Sequence, residues 1–221
     1  MKIIGHRGAK GLEPENTLRS FKKALEHHVD QLELDLRATR DGVVVVHHDP
    51  EVRDPAGNRL TIKAHTLAQL RDHKSDLLTF EELLAAVKPS VHLLVEIKPR
   101  EPTGQIIAIL REQLEHRRSA ASLSIGSFDQ GILRTMHAAF PDVEMVVIER
   151  WSAVRAQWRA RQVSTKRLNM RSWWLWSGVL LGLHRGGYQV VPYTMNDPAK
   201  ARRWQRYLYG VITDRPDLFE R

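Results

Sequence analysis

Short apolar runs alternate with stretches of helical spacing along most of the chain. Runs at 2–6, 31–37, 91–98, 122–127, 143–149, 167–170, 189–195 and 210–213 read as strands. A ninth run, 43–47, follows Arg40-Asp41-Gly42, an Asp-Gly turn, and is expected to fold back on the second strand as a hairpin arm. Helical spacing appears at 18–28, 80–87, 103–117, 129–139, 153–163, 177–185 and 198–207. In the first of these, Leu18, Phe21, Ala24 and Leu25 share one face, with Asn16 or Thr17 as the cap. In the second, Thr79 is the cap and Glu82 occupies the capping-box position.

Eight strands alternating with helices are the count for a closed (β/α)8 TIM-type barrel; an open, doubly wound sheet is the alternative architecture. So few residues follow Asp214 that the last barrel helix is expected to be short or absent. Residues 50–78 include the turn-rich Asp54-Pro55-Ala56-Gly57-Asn58 and are expected to form a long loop over the active-site end. A length of 221 residues suits one domain and is short for two, so residues 1–221 are expected to form a single unit.

Composition narrows the chemistry. There is no cysteine, which excludes disulfides, thiolate metal sites and cysteine nucleophiles and leaves only oxygen or imidazole ligands for a metal. The opening residues MKIIGH have neither a long apolar stretch nor a small-residue cleavage site, and the run 173–183 is too short to span a bilayer, so a cytoplasmic location is expected. A formal charge of +8 and a pI near 10.0 favour anionic partners such as phosphate esters, nucleic acid or acidic lipid, without choosing among them.

The polar signals fall at strand ends. His6-Arg7-Gly8 closes the first strand, and Glu33 and Asp35 lie two apart on the second, projecting from one face. His48-Asp49 ends the hairpin arm, while Glu96 and Lys98 repeat the two-apart spacing in Val95-Glu96-Ile97-Lys98. In a barrel such positions meet at one mouth. Three carboxylates converging there repel one another unless a cation lies between them, and an all-oxygen set suits Mg²⁺, Ca²⁺ or Mn²⁺. Two histidines could serve as acid and base, and Arg7 and Lys98 could hold a phosphate. Each feature has a plainer reading: Glu-x-Asp as a solvated strand face, Lys98 paired with Glu96, His47-His48 as an exposed turn.

The N-terminal third resembles the glycerophosphodiester phosphodiesterase family. The likeness rests on Gly5-His6-Arg7-Gly8, Glu13-Pro14-Glu15-Asn16-Thr17, Glu33-Leu34-Asp35-Leu36, Thr39-Arg40-Asp41-Gly42 and Val45-Val46-His47-His48-Asp49-Pro50, in order and spacing. Leu78-Thr79-Phe80-Glu81-Glu82-Leu83, Ser127-Phe128-Asp129, Tyr193-Thr194-Met195-Asn196-Asp197 and Ile212-Thr213-Asp214-Arg215-Pro216 extend it; it thins over residues 50–78 and 130–185. The resemblance implies a (β/α)-barrel with Glu33, Asp35 and Glu96 as ligands of one divalent cation. It implies His6 and His48 as general acid and base, and Arg7 and Lys98 as phosphate-binding residues. The implied reaction yields glycerol 3-phosphate and an alcohol through a cyclic phosphate. Tyr193 stands where the family usually has tryptophan, so it can stack on a ligand at an altered pocket edge.

A lysophospholipase D-like or phospholipase D-like barrel acting on membrane lipids shares this machinery. Residues 150–176 bear on it, with five of the six tryptophans, seven Arg or Lys and no acidic residue. That composition suits peripheral contact with an anionic membrane, in which case Trp173, Trp174 or Trp176 should be exposed near the mouth. Outward helix faces and barrel packing are the plainer account of the same stretch. A nucleic-acid-binding role is permitted by charge, but no zinc-finger or RNA-binding signature accompanies it, and no nucleic-acid partner is expected.

Overall fold

The computed structural model describes residues 1–54 and 56–219. Its strands are β1 (Lys2–Gly5), β2 (Gln31–Ala38), β3 (Val44–Val46), β4 (Glu51–Arg53), β5 (Arg59–Thr61), β6 (His92–Ile97), β7 (Leu123–Ser127), β8 (Glu144–Glu149), β9 (Arg167–Arg171), β10 (Gln189–Tyr193) and β11 (Gly210–Thr213). The helices are α1 (Leu18–Glu26), α2 (Leu67–His73), α3 (Phe80–Ala86), α4 (Thr103–His116), α5 (Gln130–Ala139), α6 (Ala153–Arg161), α7 (Ser177–Arg185) and α8 (Pro198–Trp204).

Among the described residues, eight parallel strands form the wall in the order β10-β9-β8-β7-β6-β2-β1-β11. The seam between β10 and β11 is joined by the parallel bridge Val190–Leu208 and by N–H donation from Tyr209 to Val190 O (2.9 Å) and from Met195 to Ile212 O (2.8 Å). The wall is thus a near-closed barrel, as the strand count predicts. Among the described residues β11 is followed by the 3-10 turn Pro216–Phe219, in the place where a short or absent last helix is expected.

Alternation sorts each strand into two faces. Leu32, Leu34 and Leu36 of β2 and Leu93, Val95 and Ile97 of β6 join the main core beneath the helices. The opposite positions fill the barrel: Ile4, Leu94, Val146, Val191 and Ile212 form an apolar layer inside it. Below that layer the interior is polar. Arg167 is fully buried, donates to Gln31 Oε1 (3.1 Å), lies 3.4 Å from Glu144 Oε2 and stacks over the Tyr209 ring at 4.1 Å. Above it come the carboxylates of Glu33, Asp35 and Glu96.

The hairpin expectation is met: β3 runs antiparallel to β2, with Leu36 opposite Val46 and Ala38 opposite Val44, and Gly42 takes the positive φ (82°) of the turn. Thr79 caps α3 in a full capping box with Glu82. Residues 50–78 differ from the expected loop. They hold the β4–β5 hairpin and α2, which starts with a capping box of Thr66 and Gln69. Val45, Val52, Ile62, Leu70 and Leu77 pack into a small core of their own there. Asp54 and residues 56–58 of the turn-rich run lie between β4 and β5, residue 55 being outside the described residues, and the apolar flanks are too short for a pattern of period 2 to stand out.

Replacing Arg167 by Ala should leave Gln31 and Glu144 without their buried donor and cost about 2–4 kcal/mol. Chemical denaturation is expected to register that loss. A variant as stable as the parent would show that this buried cation contributes nothing net.

Candidate active site

Parallel register creates the acidic cluster. Asp35 of β2 lies directly beside Glu96 of β6, and Glu33 lies one interior position below Asp35. All three are buried, and one carboxylate oxygen from each falls within 4.8 Å of the others. Burial pushes Glu33 well above the ordinary carboxylate range, and repulsion from Asp35 and Glu96 adds to it; Glu96 is also raised, chiefly by burial. Asp35 goes the other way. Burial opposes its charge, but Lys98 and Arg7 outweigh burial and hold it well below the usual value.

Lys98 lies 2.5 Å from Asp35 Oδ1 and bonds Glu96 as well, so the plain expectation of a Glu96–Lys98 pair is part of a larger group. Arg7 Nε lies 3.2 Å from Asp35 Oδ2, and its Nη1 donates to both Glu15 oxygens at 3.0 and 2.8 Å. Arg7 also takes a positive φ (51°) and turns its backbone N–H onto Glu33 Oε2 at 2.8 Å. That turn is pinned to α1: Ser20 Oγ donates to Arg7 O and accepts from Ala9 N. Gly8 is required in it, since a Cβ there would sit 2.3 Å from Ser20 Oγ. Thr17 rather than Asn16 caps α1, because the Asn16 amide is used on Asp35 Oδ2 (2.9 Å).

The histidines stand on opposite sides of the same cavity of about 340 Å³, whose lining includes His6, Arg7, Glu33, His48, Glu96 and Lys98. His6 Nδ1 lies 2.6 Å from Asp214 Oδ1, just past β11, and Asn196 donates to the other Asp214 oxygen at 3.0 Å. His48 Nδ1 lies 2.8 Å from Asp49 Oδ1. Each carboxylate favours the proton on Nδ1 and leaves Nε2 as the nitrogen for chemistry. Arg37 fixes the His48 backbone, donating to its carbonyl oxygen at 2.9 and 2.8 Å while Glu101 holds the remaining guanidinium edge. His47 points elsewhere: its Nε2 meets Glu51 O at 3.1 Å, in the inserted hairpin. Burial lowers both His6 and His48; Asp214 opposes the shift at His6, and nearby Lys98 reinforces it at His48.

Tyr193 lies on the cavity wall, edge-on to Phe128 with ring centres 6.3 Å apart, and its hydroxyl donates to Glu149 O at 3.2 Å. Asp214, Asp49, Glu15 and Asn16 were not among the expected functional residues, although each lies inside a quoted motif. The sequence places them near the site but does not say which charged group each one holds.

A profile of the "Glycerophosphoryl diester phosphodiesterase family" matches residues 6–218. The chain belongs to that family. A "Glycerophosphodiester phosphodiesterase" of Bacillus altitudinis is 25% identical over 233 residues, covering 98% of this chain and 95% of the relative. The crystal structure of a glycerophosphodiester phosphodiesterase from Thermotoga maritima matches with a TM-score of 0.82 at 27% identity, over 99% of this chain and 96% of that one. An Oleispira antarctica phosphodiesterase, solved in complex with the product sn-glycerol-3-phosphate, matches with a TM-score of 0.84 at 25% identity, over 99% and 94%. As a member of this family the chain is a phosphodiesterase, and its barrel is the fold of these relatives.

The donor set fits a hard divalent cation: three buried carboxylates, no sulfur, and mutual repulsion that raises Glu33 well above the ordinary carboxylate range. Titration with Mn²⁺ followed by electron paramagnetic resonance should give one bound ion per chain. Asp35→Asn should weaken that binding roughly ten-fold or more. Unchanged affinity in this variant would remove the cluster as the ion's site.

Proposed function

We propose that the chain hydrolyses small glycerophosphodiesters to glycerol 3-phosphate and an alcohol, using one divalent cation and the His6–His48 pair. The observation that carries this reading is a single cavity lined by both histidines and by Glu33 and Glu96 of the acidic cluster, each histidine being bonded through Nδ1 to a carboxylate. The product bound to the Oleispira antarctica phosphodiesterase supports a substrate of that size.

Glu33, Asp35 and Glu96 would hold the ion, Mg²⁺, Ca²⁺ or Mn²⁺, which when bound supplies positive charge against a phosphoryl oxygen. Arg7 and Lys98 bind the phosphate through the donors their carboxylate partners leave free. One histidine takes the proton of the neighbouring glycerol hydroxyl through Nε2, and that oxygen attacks phosphorus. The other gives its proton to the departing alcohol. The two then exchange roles as water opens the cyclic phosphate. Because the attacking hydroxyl is tethered to its own phosphate, proximity supplies much of the acceleration. Tyr193 and Phe128 form the wall against which the substrate packs.

With glycerophosphocholine or glycerophosphoethanolamine as substrate, EDTA should abolish turnover and added Mg²⁺, Ca²⁺ or Mn²⁺ should restore it. Full activity after exhaustive chelation would refute the reading. His6→Ala and His48→Ala should each lower kcat by about 10²–10⁴ with the fold retained, and His47→Ala should fall far short of that.

Asp214→Asn tests the orienting carboxylate. Asp214 raises the His6 pKa against burial, so its loss must lower that pKa further below the ordinary 6.5. The limb of the pH–rate profile governed by His6 should therefore move to more acid pH, whichever role His6 plays, while kcat falls by roughly ten- to a thousand-fold. A movement toward alkali would contradict the pairing.

A further inference from the structure

Large hydrophobic side chains left in water are concentrated on one part of the surface. Of the seven exposed among the described residues, five lie between 151 and 176: Trp151, Val154, Trp158, Trp173 and Trp176. The four indoles are 54–64% exposed and Val154 is 77% exposed. Trp174, by contrast, turns inward and packs against the core. Trp151 sits in the β8–α6 connection, and Val154 and Trp158 lie four apart on α6, hence on one face. Trp173 and Trp176 sit in the β9–α7 connection.

Strands β8 and β9 are neighbours in the wall, so these connections adjoin at the C-terminal rim of the barrel. The rings of Trp151 and Trp173 meet edge to face at 5.7 Å, and the Arg171 guanidinium lies 5.9 Å from the Trp151 ring centre. Arg150 and Arg171 also line the catalytic cavity, so the aromatic rim borders the mouth. The charge here is one-sided. Residues 150–176 contain no Asp or Glu, and the preceding Glu149 is buried and bound by Arg155. Arg150 and Arg171, at the rim, are exposed and have no acidic residue beside them in this stretch.

We propose that this rim is a membrane-docking face that seats the mouth of the barrel on an anionic lipid surface. Indoles prefer the polar–apolar boundary of a bilayer, where the ring is buried and the N–H stays hydrated. Unopposed arginines beside them are drawn to anionic headgroups, and the two contributions together give peripheral binding without a spanning helix. No helix among the described residues is long and apolar enough to cross a membrane. A second copy of the chain is a poorer occupant, because a two-fold contact through this face would set its arginines against their own copies. Docking at the rim would place the cavity against lipid, where diesters cut from lipids, or the lipids themselves, are presented. The proposal stands apart from the reaction: vesicle binding is measured without turnover, and turnover on a soluble diester without vesicles.

The full chain should co-sediment with phosphatidylcholine vesicles containing phosphatidylglycerol at low salt, with a blue shift of indole fluorescence. It should bind pure phosphatidylcholine vesicles far less and be released as salt approaches about 1 M, where screening is nearly complete. The combined variant Trp158→Ser, Trp173→Ser, Trp176→Ser should partition roughly ten-fold or more weakly. It should keep its circular dichroism and its hydrolysis of glycerophosphocholine. Absence of vesicle binding by the parent at low salt would overturn the proposal, as would undiminished binding by a folded triple variant. Self-association, or binding to an oligonucleotide, that the triple variant loses while the parent ignores vesicles would assign the face to that partner instead.

Discussion

Asp35 has almost no access to water, and its carboxylate stays charged because Lys98 and Arg7 stand against it. Much of the upper half of the barrel follows from satisfying that buried charge. Arg7 reaches it from a left-handed turn that only glycine can follow. Glu15 then neutralises the far side of Arg7, and Asn16 donates to the same Asp35 oxygen, Oδ2, that Arg7 faces. The segment that carries Glu15 and Asn16 ends at Thr17, which starts α1. One balance of charge therefore fixes the course of the chain from β1 to the first helix. Fully ionised, the three carboxylates carry one negative charge more than the two cations return. Burial and that surplus of negative charge push Glu33 well above the ordinary carboxylate range, and a divalent ion would offset them.

The histidines obey a different rule. Each is tied by Nδ1 to a carboxylate and presents Nε2 to the cavity, yet the two are carried by unlike supports. His6 is held within the closed wall, buried, by Asp214 and its own partner Asn196. His48 stands at the end of the β3 arm, more exposed, and its backbone depends on Arg37 and Glu101. The two histidines thus differ in setting, one buried in the wall and the other more accessible.

The sequence made the barrel legible because strands buried on both faces or on one leave short, regular apolar runs, and eight of them fell in order. The acidic cluster was legible for the same reason: Glu33-x-Asp35 and Glu96-x-Lys98 expose the two-residue period directly. The register that sets Asp35 beside Glu96 is a property of two strands and was not legible in either alone. Residues 50–78 were misjudged because their core of Val45, Val52, Ile62, Leu70 and Leu77 is drawn from five separate short pieces, none periodic enough to be seen. Asp214 was visible as part of a motif but not as the partner of His6, since 208 residues separate the two. The exposure of Trp173 and Trp176, with Trp174 turned inward, likewise depends on a 3-10 turn whose direction the composition does not encode.

That separation along the chain has a consequence for how the enzyme comes into being. His6 follows β1 and Asp214 follows β11, and β1 pairs with β11 along its whole length. On the ribosome, a chain that has already made the acidic cluster and the His48 arm still lacks the edge against which β1 must lie and the carboxylate bonded to His6. The arrangement at His6 therefore waits for β11 and for a contact between distant parts of the chain, with the loop-closure entropy such contacts carry. A nascent or C-terminally clipped chain can hold many of the parts of the site without the arrangement that His6 requires.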